Sequence, residues 1–373
     1  MKFSFSEEQE EFRTALRRFL QAKSPTTEVR KQMQTEQGFD PAVWRQMCEE
    51  LALASLHIPE EYGGAGFGIA DLSIACEEMG RALLCSPYFG SVVLAATAIR
   101  EAGSEDQKRQ FLPALAAGET IGALCVVEGR RGWSADSISM VAEKDGDSYR
   151  LSGDKSHVVD GLTASLLVVV ARKPDRELGL FVVKAEADGV SRHAQASMDP
   201  TRKLAAVSFS NTPAELLSGD NSSGAYERTL DIALACLAGE MVGGAERLRE
   251  DALEYVSMRM QFGRSIASFQ VTKHKAADML LDVELAKSAA YYAAASIDDG
   301  DADARGVVAL AKAGASDAYI QTAVHAVQMH GGIGFTFDND THLWFKRAKA
   351  SEVFLGDANQ NRERMLQNWG DDS

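Results

Sequence analysis

Gln328-Met329-His330-Gly331-Gly332-Ile333-Gly334-Phe335-Thr336 closes a long alanine-rich helical pattern that begins near Asp303. Its glycines stop the helix and let a flat or charged group come close to the main chain. A second stretch, Phe354-Leu355-Gly356-Asp357-Ala358-Asn359, reads as a turn that opens the last helix and carries one side chain, Leu355, into a pocket. What that side chain can do decides what the chain can do.

Toward the amino terminus, a second alanine-rich helical pattern covers Ser268–Ile297. Before it, Leu230, Leu234, Leu237, Met241, Gly244, Leu248 and Tyr255 form one stripe at three- and four-residue steps. Long helices with small residues on their faces suit close antiparallel packing, so residues 225–373 are expected to form a four-helix bundle. Residues 122–224 have a different period. Ile138–Ala142, Ser148–Leu151, Ser165–Ala171, Leu178–Val183 and Ala205–Ser210 are short β-branched or alternating runs, punctuated by turns such as Asp145-Gly146. No helical pattern separates them, which predicts an antiparallel β-barrel or sandwich.

Residues 1–121 read as helix throughout. Ser6-Glu7-Glu8-Gln9 is a capping box ahead of Phe12, Leu16, Phe19 and Leu20, and Asp40-Pro41 is a cap followed by a first-turn proline. Further helices are expected over Ile69–Arg81, Ser86–Ala102 and Ser104–Ala116. The glycine-rich loop Ile58–Gly68 follows no strand, which argues against a Rossmann phosphate loop. The fold class is therefore mainly α with a central β domain.

A formal charge of −15 argues against a general nucleic-acid binder. Five scattered cysteines without metal-ligand spacing read as reduced and buried, and no metal site is expected. The acidic amino terminus is unlike a signal peptide, and no run reaches the roughly 20 apolar residues needed to span a bilayer. A cytoplasmic protein with no membrane partner is expected.

In this order of blocks, the chain resembles the acyl-CoA dehydrogenase family over essentially its whole length. The resemblance rests on Ile58-Pro59-Glu60-Glu61-Tyr62-Gly63-Gly64, on Leu112-Pro113 with Gly118-Glu119, on Arg259-Met260-Gln261-Phe262-Gly263 with Phe269-Gln270, and on Gln328-x-x-Gly331-Gly332-x-Gly334-Phe335. It implies an FAD flavoprotein that desaturates the Cα–Cβ bond of an acyl-CoA thioester. A carboxylate takes the α-proton, flavin N5 takes the β-hydride, and an electron-transfer flavoprotein removes the electrons.

The resemblance also locates the parts. The family's two positions for the base fall on Leu355 and Ala233, neither of which accepts a proton. Glu240, two turns from Ala233, is the alternative acid, whereas Asp357 reads as a helix cap and Glu352 lies nearby. Asp231 matches an acid of the substrate site, but Leu234 stands where an arginine is expected. Val159 replaces the hydroxyl that would face flavin N5, His157 an aromatic that would stack on the ring, and Arg130 and Arg131 read as a solvated loop pair.

Arg259, Phe262, Gln270, Gln328, Gly331, Gly332, Gly334 and Asn359 match the adenine side, which in this family serves the flavin of a neighbouring protomer. The expectation is a subunit resembling the base-lacking chain of the α2β2 enzymes of bacterial steroid side-chain degradation, paired with a catalytic acyl-CoA dehydrogenase subunit. Two alternatives stand beside it. One is a homotetramer with a relocated base such as Glu240, and the other a non-redox acyl-CoA-binding or assembly protein on the same fold.

Overall fold

The computed structural model describes residues 5–146, 148–220 and 224–369. The helices of the first third are α1 (Glu7–Lys23), α2 (Thr26–Gln32), α3 (Pro41–Glu49), α4 (Ile69–Arg81), α5 (Thr97–Ala102) and α6 (Glu105–Ala116), with a π-helical stretch Phe89–Ala96 leading into α5. Side chains set their starts. Ser6 with Gln9 and Ser104 with Gln107 form reciprocal capping boxes, and Asp40 accepts from Ala42 N ahead of Pro41.

The strands are β1 (Gly122–Cys125), β2 (Ala142–Asp145), β3 (Ser148–Val159), β4 (Leu166–Arg172), β5 (Leu178–Lys184), β6 (Val190–Gln195) and β7 (Leu204–Leu216). They run in the order β1-β4-β5-β7-β3-β2, with β6 paired to β7. The sheet is not wholly antiparallel as expected, because β1 pairs with β4 in parallel. The strand anticipated over Ile138–Ala142 begins only at Ala142. The Arg172 side chain donates to the carbonyls of Ala135 and Ile138, and the Glu128 carboxylate accepts from Ser139 N and Met140 N, so side chains take the place of a ladder there.

The carboxyl-terminal helices are α7 (Ala225–Met258), α8 (Gln270–Asp298), α9 (Ala304–His330), α10 (Thr341–Val353) and α11 (Ala358–Trp369). The order of helices, strands and helices is as expected, but α10 was not anticipated. Its buried face is Leu343, Trp344, Arg347, Ala348 and Ser351, and the arginine and serine hide it from a hydropathy reading.

The chain divides into two compact units. One runs up to Arg30 and adds Ile69–Leu84 and everything from Leu234 onward; the other is Lys31–Gly68 with Cys85–Ala233. In the helical unit α4 and α7 touch backbone to backbone. A Cβ on Gly80 would stand 2.0 Å from Glu240 O, and one on Gly243 1.9 Å from Glu77 O. In the strand-bearing unit the core centres on Leu151, Leu167, Val169, Phe181 and Val207.

Candidate functional site: an open cradle and a fastened turn

Beyond α7, β8 (Met260–Gln261) and β9 (Arg264–Ser265) pair as Met260 with Ser265 and Gln261 with Arg264. Phe262-Gly263 is therefore a two-residue turn, with φ of 53° and 75°. Two positive φ values are the type I′ geometry that matches strand twist. A phenylalanine there is strained and little packed, since Phe262 is 90% exposed and meets the Phe269 ring edge-on at 6.1 Å. Arg264 lies 4.0 Å from the centre of the Phe269 ring. Arg259 and Gln270, on either side of the hairpin, are exposed.

At the end of α9, Gly331 has φ 65° and ψ −142°, a region that essentially only glycine occupies. A Cβ on Gly331 or Gly332 would meet nothing within 4 Å, so the main chain is open there. Gly334 differs, because its Cβ would stand 2.8 Å from Val327 O and 2.9 Å from the His330 Cβ. Its missing side chain is used by the chain's own helix end. His330 donates from Nδ1 to Ala326 O at 2.8 Å and stacks on Tyr255 with ring centres 4.5 Å apart. That stack joins the ends of α7 and α9. The hairpin with Arg259, Phe262 and Gln270 thus adjoins the cradle with Gln328, Gly331 and Gly332.

Asn359 lies elsewhere. Arg362, one turn further along α11, pairs with Asp317, which is roughly 20 Å along α9 from Gly331 at 1.5 Å per residue.

The turn Phe354–Asp357 is finished in the opposite way. Leu355 has φ 58° and Gly356 φ 93°, and Leu355 is buried at 5% exposure. Beneath them lies Lys312, fully buried, whose Nζ donates to Glu352 O at 2.8 Å and to Gly356 O. Asn361 donates to Gly356 O at 3.1 Å and Asp357 O at 2.9 Å. Burial pushes the Lys312 ammonium down to about 8, against the opposing pull of Asp357, Glu352 and Asp317. Asp357 accepts from Gln360 N at 2.8 Å while its own N–H donates to Gln360 Oε1 at 2.9 Å, which makes it a helix cap. Lys312 and Asn361 were missed in the sequence. The available signal was a lysine on the apolar face of α9, in step with Val308, Ala315 and Tyr319.

The remaining acids are committed. Glu240 accepts from Arg347 Nη1 at 3.1 Å, with side chains 7% and 4% exposed. Ala233 and Leu234 are buried in α7, and Asp231 beside them is half-buried.

In the strand-bearing unit, β3 gains one residue on β7 between Lys155 and Val158, a bulge at Ser156-His157. His157 stands there at φ 55°, exposed, with its N–H donated to Gln195 Oε1 at 2.6 Å. Val159, two residues on, is buried. Lys155 donates to Val126 O at 3.0 Å, Val170 O at 2.7 Å and Glu128 Oε1 at 2.8 Å. Burial alone would push the Glu128 carboxyl up, but hydrogen bonds from Lys155, Ser139 and Met140 hold it at about 2. Arg130 and Arg131 are exposed on the loop that follows.

Along the chain, helices, then a seven-stranded sheet, then helices are the element order of an acyl-CoA dehydrogenase fold. The chain belongs to the acyl-CoA dehydrogenase family: residues 6–119 match the description "Acyl-CoA dehydrogenase, N-terminal domain" and residues 224–369 "Acyl-CoA dehydrogenase, C-terminal domain". It is 35% identical to Acyl-CoA dehydrogenase IpdE2 of Mycobacterium tuberculosis, over 88% of this chain and 86% of that one. Among solved structures it is similar to the Tcur3481-Tcur3483 steroid ACAD, with a TM-score of 0.89, 29% identity and 98% of both chains covered. It is likewise similar to the ChsE4-ChsE5 complex from M. tuberculosis, with a TM-score of 0.91, 25% identity, and 100% of this chain and 99% of that one covered.

The family's members are FAD-dependent flavoproteins. The cradle fits such a cofactor: open backbone at Gly331 and Gly332, an exposed guanidinium at Arg259, exposed amides at Gln270 and Gln328, and an exposed ring at Phe262.

Proposed function

We propose that this chain is the base-lacking subunit of a heteromeric acyl-CoA dehydrogenase, acting in the cytoplasm on the α,β-desaturation of an acyl-CoA thioester. One observation carries the reading. Both family positions for the base hold buried aliphatic side chains, Leu355 and Ala233, and the nearest alternative acid, Glu240, is spent on Arg347. Proton abstraction then falls to a carboxylate of the partner subunit.

FAD, when bound, supplies the acceptor for the β-hydride. This chain's residues bind and orient it. Arg259 would meet its pyrophosphate with a charge-assisted bond, Gln270 and Gln328 would offer amides to the adenosine side, and Gly331 and Gly332 would let it come close to the main chain. Phe262 covers that end against water. In the chain's own strand-bearing unit Val159 offers nothing to hydrogen-bond a flavin ring, and on α7 Leu234 offers no charge to a CoA group. On this reading the cradle would be lent to a flavin held with the catalytic subunit, whose electrons an electron-transfer flavoprotein would accept. Similarity to a steroid ACAD supports a bulky, ring-bearing thioester as substrate.

The test is to express the chain alone and together with a base-bearing acyl-CoA dehydrogenase from the same operon, then record flavin absorbance and acyl-CoA-dependent bleaching. Flavin and turnover are expected only in the co-expressed complex. Turnover by the chain alone would establish a homotetramer with a relocated base, and a complex without flavin would leave an acyl-CoA-binding or assembly role.

A further inference from the structure

The helical unit holds a cavity of about 270 Å³ to which neither the cradle nor the turn contributes a residue. Its apolar wall is Leu20, Pro25, Ala82 and the Trp344 ring, and three arginines, Arg17, Arg81 and Arg247, stand around it with Glu78. Most of that charge is spent. Glu78 accepts from Arg17 at 2.6 and 2.8 Å, and Asp251 accepts from Arg247 Nε at 2.9 Å and lies 2.8 Å from its Nη2.

Two donors are not spent. Trp344 is 3% exposed, and its indole N–H has no acceptor among the described residues. Arg81 donates from Nη2 to Glu250 and pairs with Glu246 at 3.8 Å, so its charge is met, but its Nη1 is buried without a hydrogen bond. Buried tryptophan N–H groups ordinarily find a partner, and an unmet buried donor lowers stability. Two unmet donors, both on residues that line one largely apolar cavity, match two acceptor oxygens on a short hydrocarbon body.

We propose that this cavity is a binding site for a small amphipathic carboxylate of a few carbons, distinct from the FAD and acyl-CoA sites. The cavity is far too small for a CoA thioester or a dinucleotide. The carboxylate completes Trp344 Nε1 and Arg81 Nη1, while Glu78, neutralised by Arg17, does not repel it. Because α1, α4, α7 and α10 all contribute walls, occupancy ties these four helices together and stabilises the subunit by mass action.

The site is tested on the purified complex by calorimetric titration with butyrate, valerate and hexanoate, and with 1-pentanol as the neutral match for valerate. Saturable binding of at least one carboxylate, with a rise in Tm and none for 1-pentanol, is expected. Trp344→Phe keeps an aromatic wall of smaller size and removes the N–H, and should weaken binding by about 10-fold or more, at least the worth of one hydrogen bond to a charged group. Ala82→Leu should abolish binding by filling the cavity from the end of α4. Absence of saturable binding by all three carboxylates, equal binding of 1-pentanol, or wild-type affinity in both variants overturns the proposal.

Discussion

The segments that follow α9 and α10 are both short, both bear glycine and both take positive φ, yet they are finished in opposite ways. After α9, Gly331 and Gly332 leave the main chain open, and the neighbouring hairpin holds Phe262 in solvent at a strained φ. After α10, the carbonyls of Glu352, Gly356 and Asp357 are taken by Lys312 and Asn361, and Leu355 is turned into the protein. An open backbone beside exposed polar side chains is suited to a ligand. A turn whose groups are satisfied internally, around a leucine in an unfavourable conformation, holds a shape without offering chemistry. The contrast sets an open segment beside a closed one within one helical unit, the arrangement that the proposed lending of a cofactor site and borrowing of a base requires.

The largest expected effect comes from removing the fastening of the closed turn. Lys312→Met takes the ammonium from the carbonyls of Glu352 and Gly356 and leaves the second only its bond from Asn361, at a cost of about 2–4 kcal/mol by denaturant unfolding. The same lysine gives a pH signature. Its folded value of about 8 lies below the ordinary lysine value of 10.5, so above pH 8 the unfolded chain binds more protons than the folded one. Wild-type stability should therefore rise from pH 8 toward 10.5 relative to Lys312→Met, which lacks the group. A flat difference between the two proteins would show that the folded lysine is not held below its ordinary value.

On the open side, Arg259→Ala should spare the fold, since the side chain is exposed. It should reduce flavin retention in the co-expressed complex by about 10-fold or more, the loss of one charge-assisted contact. The glycines sharpen the contrast further. Gly331→Ala forces a Cβ into a region of φ and ψ that excludes it and should cost on the order of 1–3 kcal/mol, with loss of flavin. Gly334→Ala should lower stability through the clash with Val327 O, whatever the state of the flavin. If both substitutions cost flavin in proportion to stability alone, the cradle is packing rather than binding apparatus.

Much of this was legible in the chain itself, for local reasons. Ser6, Asp40 and Ser104 start their helices through side-chain caps a few residues long, and β4 and β5 declare themselves as runs of valine and leucine. What escaped depends on partners distant in sequence. β6, Val-Ser-Arg-His-Ala-Gln, which buries no residue, is a strand because β7 lies beside it, and β1 is four buried residues with no alternation. The Phe262-Gly263 turn was read as a recognition motif because a phenylalanine does not announce a type I′ hairpin. Of the three cradle glycines, only the coordinates separate Gly334, needed for packing, from Gly331 and Gly332. The missing base was plain at Leu355, while the lysine that holds its turn lies 43 positions earlier, on another helix.

The smallest effect tests whether Leu355 is strained. Its φ of 58° is a conformation in which a Cβ crowds the backbone, while its side chain is buried. Leu355→Ala removes the buried side chain and keeps the Cβ, so it loses packing and retains the strain. Leu355→Gly loses the same packing and also the Cβ, which gains about 1–2 kcal/mol of relief in the folded state. Against this stands the freer unfolded chain of glycine, worth about 0.5–1 kcal/mol. The glycine variant should therefore unfold at higher denaturant than the alanine variant, by up to about 1 kcal/mol. The usual order, with glycine the less stable, would mean that the turn relaxes around residue 355. Its shape would then be a consequence of the leucine rather than a frame held for a residue this chain lacks.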